Sequence, residues 1–201
     1  MKRSKLYLSG IQLMAQSALC FSAMALCVKY ASTSISPFQI VFFRSFFGML
    51  MVLPVLWQKK LSFWGEERFK LTARGLSGFA ALVLHFYTIS KLDLGMAIML
   101  NYTAPIFTVI FSIFFLKERP SLSLCFLILL SFAGVVLLNA RSTMAWDPAV
   151  WLALLSSVFA AFAYLSIRTI RHRESPYTVI FYFTLISTIG SLFFLQGWKW
   201  P

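Results

Sequence analysis

The sequence predicts an all-α, polytopic integral membrane helix bundle. It has seven transmembrane helices, arranged as a five-helix inverted repeat with an incomplete second copy. Three observations predict this. Hydrophobic side chains make up 60% of the 201 residues and charged ones only 12%, about half the charged share of an ordinary globular chain. The charges gather in short clusters, separated by apolar stretches of about 20 residues, each long enough to cross a ~30 Å hydrocarbon core as a helix. One octapeptide pattern also recurs far along the chain. Helices are predicted rather than strands because backbone amides in lipid must bond within their own segment and no porin-like alternation is visible.

The first span is predicted at residues 8–28. Lys2, Arg3 and Lys5 before an apolar run imitate a signal peptide, but the run continues without a small-residue cleavage site, which predicts a retained span. The second span falls at 37–57, the third at 72–90 and the fourth at 95–116. The fifth falls at 121–140, after a turn marked by Pro120, and the sixth and seventh at 148–167 and 176–196. Pro37, Pro148 and Pro176 open three of these spans, at first-turn positions where a missing N–H costs nothing. Cys20, Cys27 and Cys125 lie inside apolar runs, where free cysteine behaves as a small hydrophobe. Neither a disulfide framework, a metal site nor a cofactor is predicted.

The net charge of +12 and pI of 10.0 would suggest nucleic acid in a soluble protein. Here no surface is available to hold the basic, polar face that such binding needs, so nucleic acid is not expected as a partner; the lipid bilayer and a small-molecule solute are. The charge instead reports orientation. Lys2, Arg3, Lys5, then Lys59, Lys60, Arg68, Lys70 and Arg74, then Lys117 and Arg119, then Arg168, Arg171 and Arg173 flank the spans on one side. Only Lys29, Lys91, Arg141 and Lys199 fall on the other, and Arg44 lies within a span. Short Lys/Arg-rich loops stay cytoplasmic, which predicts a multi-pass protein of the inner (cytoplasmic) membrane with its N-terminus in the cytoplasm.

Ser36-Pro37-Phe38-Gln39-Ile40-Val41-Phe42-Phe43 reappears as Ser175-Pro176-Tyr177-Thr178-Val179-Ile180-Phe181-Tyr182, a shift of 139 positions. At the same shift Ala18 and Ser22 fall on Ser157 and Ala161, and Lys29 falls on Arg168. Five spans fit in the shift. Because five is odd, the second copy enters the membrane inverted, an arrangement characteristic of secondary transporters that bind substrate near the midplane between copies. One unit is thus expected at 8–140 and the first two helices of a second at 148–196.

These features resemble the drug/metabolite transporter superfamily, specifically its EamA-type members. The tract that carries the resemblance runs Tyr87, Leu94, Asn101 and Pro105, then Leu116-Lys117-Glu118-Arg119-Pro120, then Gly134-Val135-Val136. Arg44, in Phe42-Phe43-Arg44, matches an arginine typical of the family's second helix. The resemblance implies ten helices in two repeats, alternating access, and a central cavity built from helices of both. On that pattern three spans of the second unit are missing from the chain.

Candidate site residues follow from cost in lipid. Pro105 sits about ten residues into the fourth span, roughly 15 Å deep. It cannot donate to the carbonyl of Asn101, so one turn offers an amide side chain and a freed acceptor beside Tyr102 and Thr103. Such a break makes a substrate site or is a kink healed by a neighbouring Ser or Thr. Arg44 is either an anchor that snorkels to headgroups or a counter-charge for an anionic or zwitterionic solute. His85 is a backbone-satisfied histidine or a proton relay, with Tyr87 two residues on and off its face. No Asp or Glu lies deep in a span, which favours exchange or facilitated diffusion over carboxylate-coupled transport. Small residues Ala153, Ser157 and Ala161, and Gly75, Gly78 and Ala81, form stripes for close helix packing.

The expected function is secondary transport of a small metabolite (an amino acid, a nucleotide-like or a drug-like solute) by alternating access. The alternative is a truncated member of the same family, inactive or completed by a homodimer or a second chain that supplies the missing helices. A seven-helix receptor is disfavoured by the cytoplasmic N-terminus, and no lysine in the seventh span can carry a retinal Schiff base. An intramembrane enzyme would need paired carboxylates, a Ser–His pair or a metal cluster, so no enzymatic activity is expected.

Overall fold

The computed structural model describes residues 2–117, 121–139 and 147–194. Glu118, Arg119, Pro120, Arg141 and Lys199 lie outside the described residues, as do the side chains of Lys2, Arg3, Lys5 and Cys125. The helices are α1 (Lys2–Ala31), α2 (Pro37–Gln58), α3 (Arg68–Lys91), α4 (Leu94–Asn101), α5 (Ala104–Leu116), α6 (Leu122–Asn139), α7 (Pro148–Ile170) and α8 (Pro176–Phe193). No strand occurs among the described residues.

Local sequence sets where three helices begin. The Ser36 hydroxyl accepts from Gln39 N–H while Gln39 Oε1 accepts from Ser36 N–H, a capping box that starts α2. Asp147 accepts from Ala149 N–H at 2.8 Å ahead of α7, and Ser175 accepts from Tyr177 N–H at 3.4 Å ahead of α8. In each case proline follows the cap and opens the helix.

Among the described residues, five segments are long and apolar enough to cross a membrane: Gly10–Ala31, Pro37–Gln58, Leu94–Leu116, Pro148–Ile170 and Pro176–Phe193. The third of these is broken, so the predicted fourth span is the pair α4–α5. At 24 residues α3 is also long, but it carries Arg68, Lys70, Arg74, His85 and Lys91. Arg68, Lys70 and Lys91 are exposed at its two ends, while Arg74 and His85 lie within a helix that is central, packed chiefly on α7 and α8 and also on α1, α2 and α4.

Burial is reversed relative to a water-soluble bundle. Leu19, Phe21, Phe47, Met51, Phe114 and Phe193 are exposed, while Ser45, Thr88, Ser156, Ser157, Thr178 and Ser187 are buried. In lipid, apolar side chains gain nothing by turning inward. Interfaces therefore take small residues and interhelical hydrogen bonds, and the molecule is a polytopic helical membrane bundle. Ala153, Ser157 and Ala161 are buried on α7, and Gly75, Gly78 and Ala81 on α3.

Two apolar clusters mark the two ends of the bundle. One joins Val28, Val41, Ile89, Leu92, Ala97 and Val150; the other joins Leu71, Ile170, Val179 and Tyr182. α2 and α8 pack antiparallel. Phe38 at the start of α2 stacks on Phe194, just past the end of α8, at 4.9 Å between ring centroids. Lys59, just past the other end of α2, donates to Tyr177 Oη at 3.0 Å near the start of α8. Both ends of α3 are fastened from outside it. Lys29 Nζ of α1 donates to the carbonyls of Ile89 and Leu92 at 2.9 and 2.8 Å. At the opposite end Glu174 Oε1 accepts from the backbone N–H groups of Glu66 and Glu67 at 2.6 and 2.7 Å.

Candidate functional site in the bundle interior

The break between α4 and α5 follows from Pro105, which occupies the first turn of α5 and contributes no N–H there. Three donors converge on the carbonyl one turn back: Thr103 N–H at 3.1 Å, Thr103 Oγ1 at 2.7 Å and Ser157 Oγ of α7 at 2.9 Å all reach Leu100 O. These bonds satisfy Leu100 O, next to the Asn101 carbonyl to which Pro105 cannot donate, and fix α4 to α7. The Asn101 side chain stays on the inner face.

That side chain borders a cavity of about 180 Å³. Phe21 and Met24 of α1, Arg44 of α2 and Asn101 of α4 contribute to its wall. α3 supplies Arg74, Gly78, Ala81, Leu82, His85 and Phe86; α7 supplies Ser156, Ala160, Ala163 and Tyr164; α8 supplies Phe183. Along α3 the order is Leu71 of one end cluster, then the cavity residues 74–86, then Ile89 and Leu92 of the other. Along α7 it is Val150 and Ala153, then 156–164, then Ile170. The cavity therefore lies between Leu71 and Ile170 on one side and Ile89, Leu92 and Val150 on the other, with Phe86 shared between its wall and the larger cluster.

Of the residues singled out in the sequence, Arg44, His85 and Asn101 meet at this cavity. Tyr102 (72% exposed), Tyr87 (37%) and Pro105 face away from it; Tyr87 is two residues from His85, which carries it round the helix. Arg44 does not reach for headgroups. Its Nε donates to Met24 Sδ at 3.3 Å, and its guanidinium carbon lies 5.9 Å from the centre of the Phe86 ring.

Arg74 is the cavity residue that the sequence reading placed elsewhere, among the basic residues of the loop. It belongs to the second turn of α3, and its guanidinium carbon lies 4.9 Å from the centre of the Phe183 ring. The available signal was its place inside an apolar span, where an ionisable group is expensive. The second and seventh predicted spans also reach the cavity, through Arg44 and Phe183.

The 139-position shift links these residues in pairs. Phe21 falls on Ala160, Met24 on Ala163 and Arg44 on Phe183, and all six line the cavity. At the same shift Ser45 falls on Thr184, and both are buried.

Outside the cavity, the Glu174 end carries a surface ion cluster. Glu67 Oε2 lies 3.1 Å from Lys70 Nζ, and Glu67 Oε1 lies 2.9 Å from Arg173 Nη1. The hydrogen bond from Lys70, with the nearby Arg173, holds the Glu67 carboxyl below the usual carboxylate range. Among the described residues no group of three or more His, Cys, Asp or Glu is placed to hold a metal ion.

Known proteins point the same way as this geometry. The chain is 32% identical over 185 residues to the pseudopaline exporter CntI of Pseudomonas aeruginosa, covering 92% of the chain and 65% of that protein. It is 31% identical to an uncharacterized transporter of Helicobacter pylori, covering 91% of the chain and 63% of the relative. It is 26% identical to an S-adenosylmethionine uptake transporter of Rickettsia felis, covering 94% and 64%. The chain thus spans a little under two thirds of the length of these relatives. No solved structure matches it. The EamA-like transporter family matches residues 8–140, which is most of the apolar bundle described above, and the chain belongs to that family.

Proposed function

We propose that the protein is a secondary transporter that moves a small metabolite across the cytoplasmic membrane by alternating access. The observation that carries the proposal is a cavity with Arg44, His85 and Asn101 on its wall, set between two apolar clusters in a bundle of this family. A carrier needs a central site with a closable layer on either side, and residues 71–92 of α3 run through all three levels in order. Paired lining positions at one sequence shift, and an antiparallel α2–α8 contact, support an inverted-repeat origin. Arg44, His85 and Asn101 are the proposed solute contacts, with Tyr102, Pro105 and Tyr87 acting on the helix break and outer faces rather than at the solute.

Asn101→Leu tests this reading. In proteoliposomes it should abolish solute exchange while membrane insertion and the thermal midpoint stay near wild type, because Asn101 is half-buried at the wall and not in an end cluster. Unchanged exchange would remove Asn101 from the site.

The same proposal places the Glu174 end in the cytoplasm, following the basic residues. With native cysteines replaced, Ser62→Cys should be shielded from an impermeant maleimide in intact cells, and Thr33→Cys should be labelled. The reverse pattern would invert the orientation.

A further inference from the structure

The cavity holds positive charge without a carboxylate to meet it. Its wall includes Arg44 and Arg74 and no Asp or Glu. Among the described residues the acids are Glu66, Glu67, Asp93, Asp147 and Glu174, all at or beyond helix ends. Arg44 has soft partners, a thioether sulfur and the Phe86 ring. A thioether is only a weak acceptor.

Arg74 is more exposed to this imbalance. Its Nε and Nη1 atoms are sealed from the surface and have no hydrogen-bond partner among the described residues. A guanidinium presents five N–H donors in a rigid plane suited to carboxylate and phosphate. Its surroundings hold that plane in place. Gly78, one turn further along α3, leaves the space: a Cβ there would strike the Arg74 guanidinium and the Phe183 ring. Phe183 covers the guanidinium at 4.9 Å, so the N–H edge is what remains for a partner. The residue is about 9 Å along α3 from its first turn by helix rise, where an unpaired charge persists only with a role.

We infer that Arg74 is an anion anchor. The cavity takes a solute bearing a carboxylate or phosphate group, held by Arg74 with Arg44 as the second counter-charge. This names the substrate class of the proposed transport site and rests on that reading for the movement of the solute, though not for its binding. A lipid phosphate carries the same chemistry, so the test separates the two sources.

The full chain in phosphatidylcholine nanodiscs, titrated with succinate as a small dicarboxylate probe, should show a saturable rise in thermal midpoint. Succinamide, its neutral analogue, should produce none. Arg74→Gln should weaken the succinate response at least tenfold, and Arg74→Lys should restore part of it. Should the Gln variant fail to fold, phenylglyoxal modification of wild-type Arg74, read by mass spectrometry, serves instead: succinate should protect Arg74 and succinamide should not. Equal responses to succinate and succinamide, or an Arg74→Gln variant with wild-type affinity, would overturn the anchor. So would succinate-independent protection of Arg74 in phosphatidylglycerol nanodiscs, which would assign it to headgroups. Solute exchange in proteoliposomes keeps the two readings apart. Succinate binding without exchange of any solute sinks transport and leaves the anchor, and exchange confined to neutral or cationic solutes does the opposite.

Discussion

Glu174→Ala should loosen the segment that joins α2 to α3, raise the rate of trypsin cleavage after Lys59 and Lys60 about tenfold, and lower stability by about 2–4 kcal/mol. The carboxylate is 8% exposed and accepts two backbone N–H groups at 2.6 and 2.7 Å. Those amides stand at the start of α3, where the helix dipole favours negative charge. Hydrogen bonds to a charged group contribute about 1.5–3 kcal/mol each, and the larger cost is leaving buried donors unmet. Gly65 shows how closely the segment wraps the carboxylate. It sits at φ +59°, and a Cβ there would come within 2.7 Å of Glu174 Oε2. Thr178 and Tyr182 hydroxyls donate to Ser62 O and Trp64 O at 3.1 and 2.9 Å, so some ordering should survive. Glu174→Gln keeps one acceptor oxygen and loses the charge, and should fall between wild type and Ala. Identical cleavage rates for wild type and Ala would show that the carboxylate does not hold the segment.

Gly75→Leu should separate α3 from α8 and reduce the thermal midpoint more than any single truncation on the lipid-facing surface. A Cβ at this position would meet the Ile186 side chain and would lie 3.3 Å from the backbone oxygen of Tyr182. Ile186 can rotate away, but the Tyr182 backbone cannot, so a branched side chain must push the helices apart. Overpacking of this sort costs about 1–3 kcal/mol, and the adjoining cluster of Leu71, Ile170, Val179 and Tyr182 would be strained with it. Gly75→Ala should cost much less. Equal midpoints for Gly75→Leu and wild type in the same detergent would place the α3–α8 contact elsewhere.

The helical, membrane-spanning character was legible because it rests on runs of about 20 apolar residues, a signal that survives any arrangement of helices. Ser36-Pro37, Asp147-Pro148 and Ser175-Pro176 gave three helix starts for the same local reason. The centre of the site was harder to see. Arg44, His85 and Asn101 stood out as costly groups in lipid, and all three line the cavity. Pro105 marked the break, yet the neighbouring Leu100 carbonyl is met by a serine 57 positions away in sequence, a tertiary partner that no local pattern names. Tyr102 and Tyr87 neighbour cavity-lining residues in sequence but point away, because successive helix positions turn by about 100°. Arg74 was hidden by its company, since next to Arg68 and Lys70 it reads as one more loop cation. Its pairing with Phe183, 109 positions on, exists only in the folded chain.

α3 is held like a bolt with a catch at each end, a cation from α1 on its last carbonyls and an anion from the α7–α8 turn on its first amides. If α3 tilts towards one side of the membrane in the proposed cycle, one catch would have to release while the other still grips. Undoing both at once would forfeit two sets of charge-assisted contacts together, so under the proposed transport cycle a state open to both compartments would be disfavoured. In a carrier, that difference in cost is what keeps the barrier from leaking.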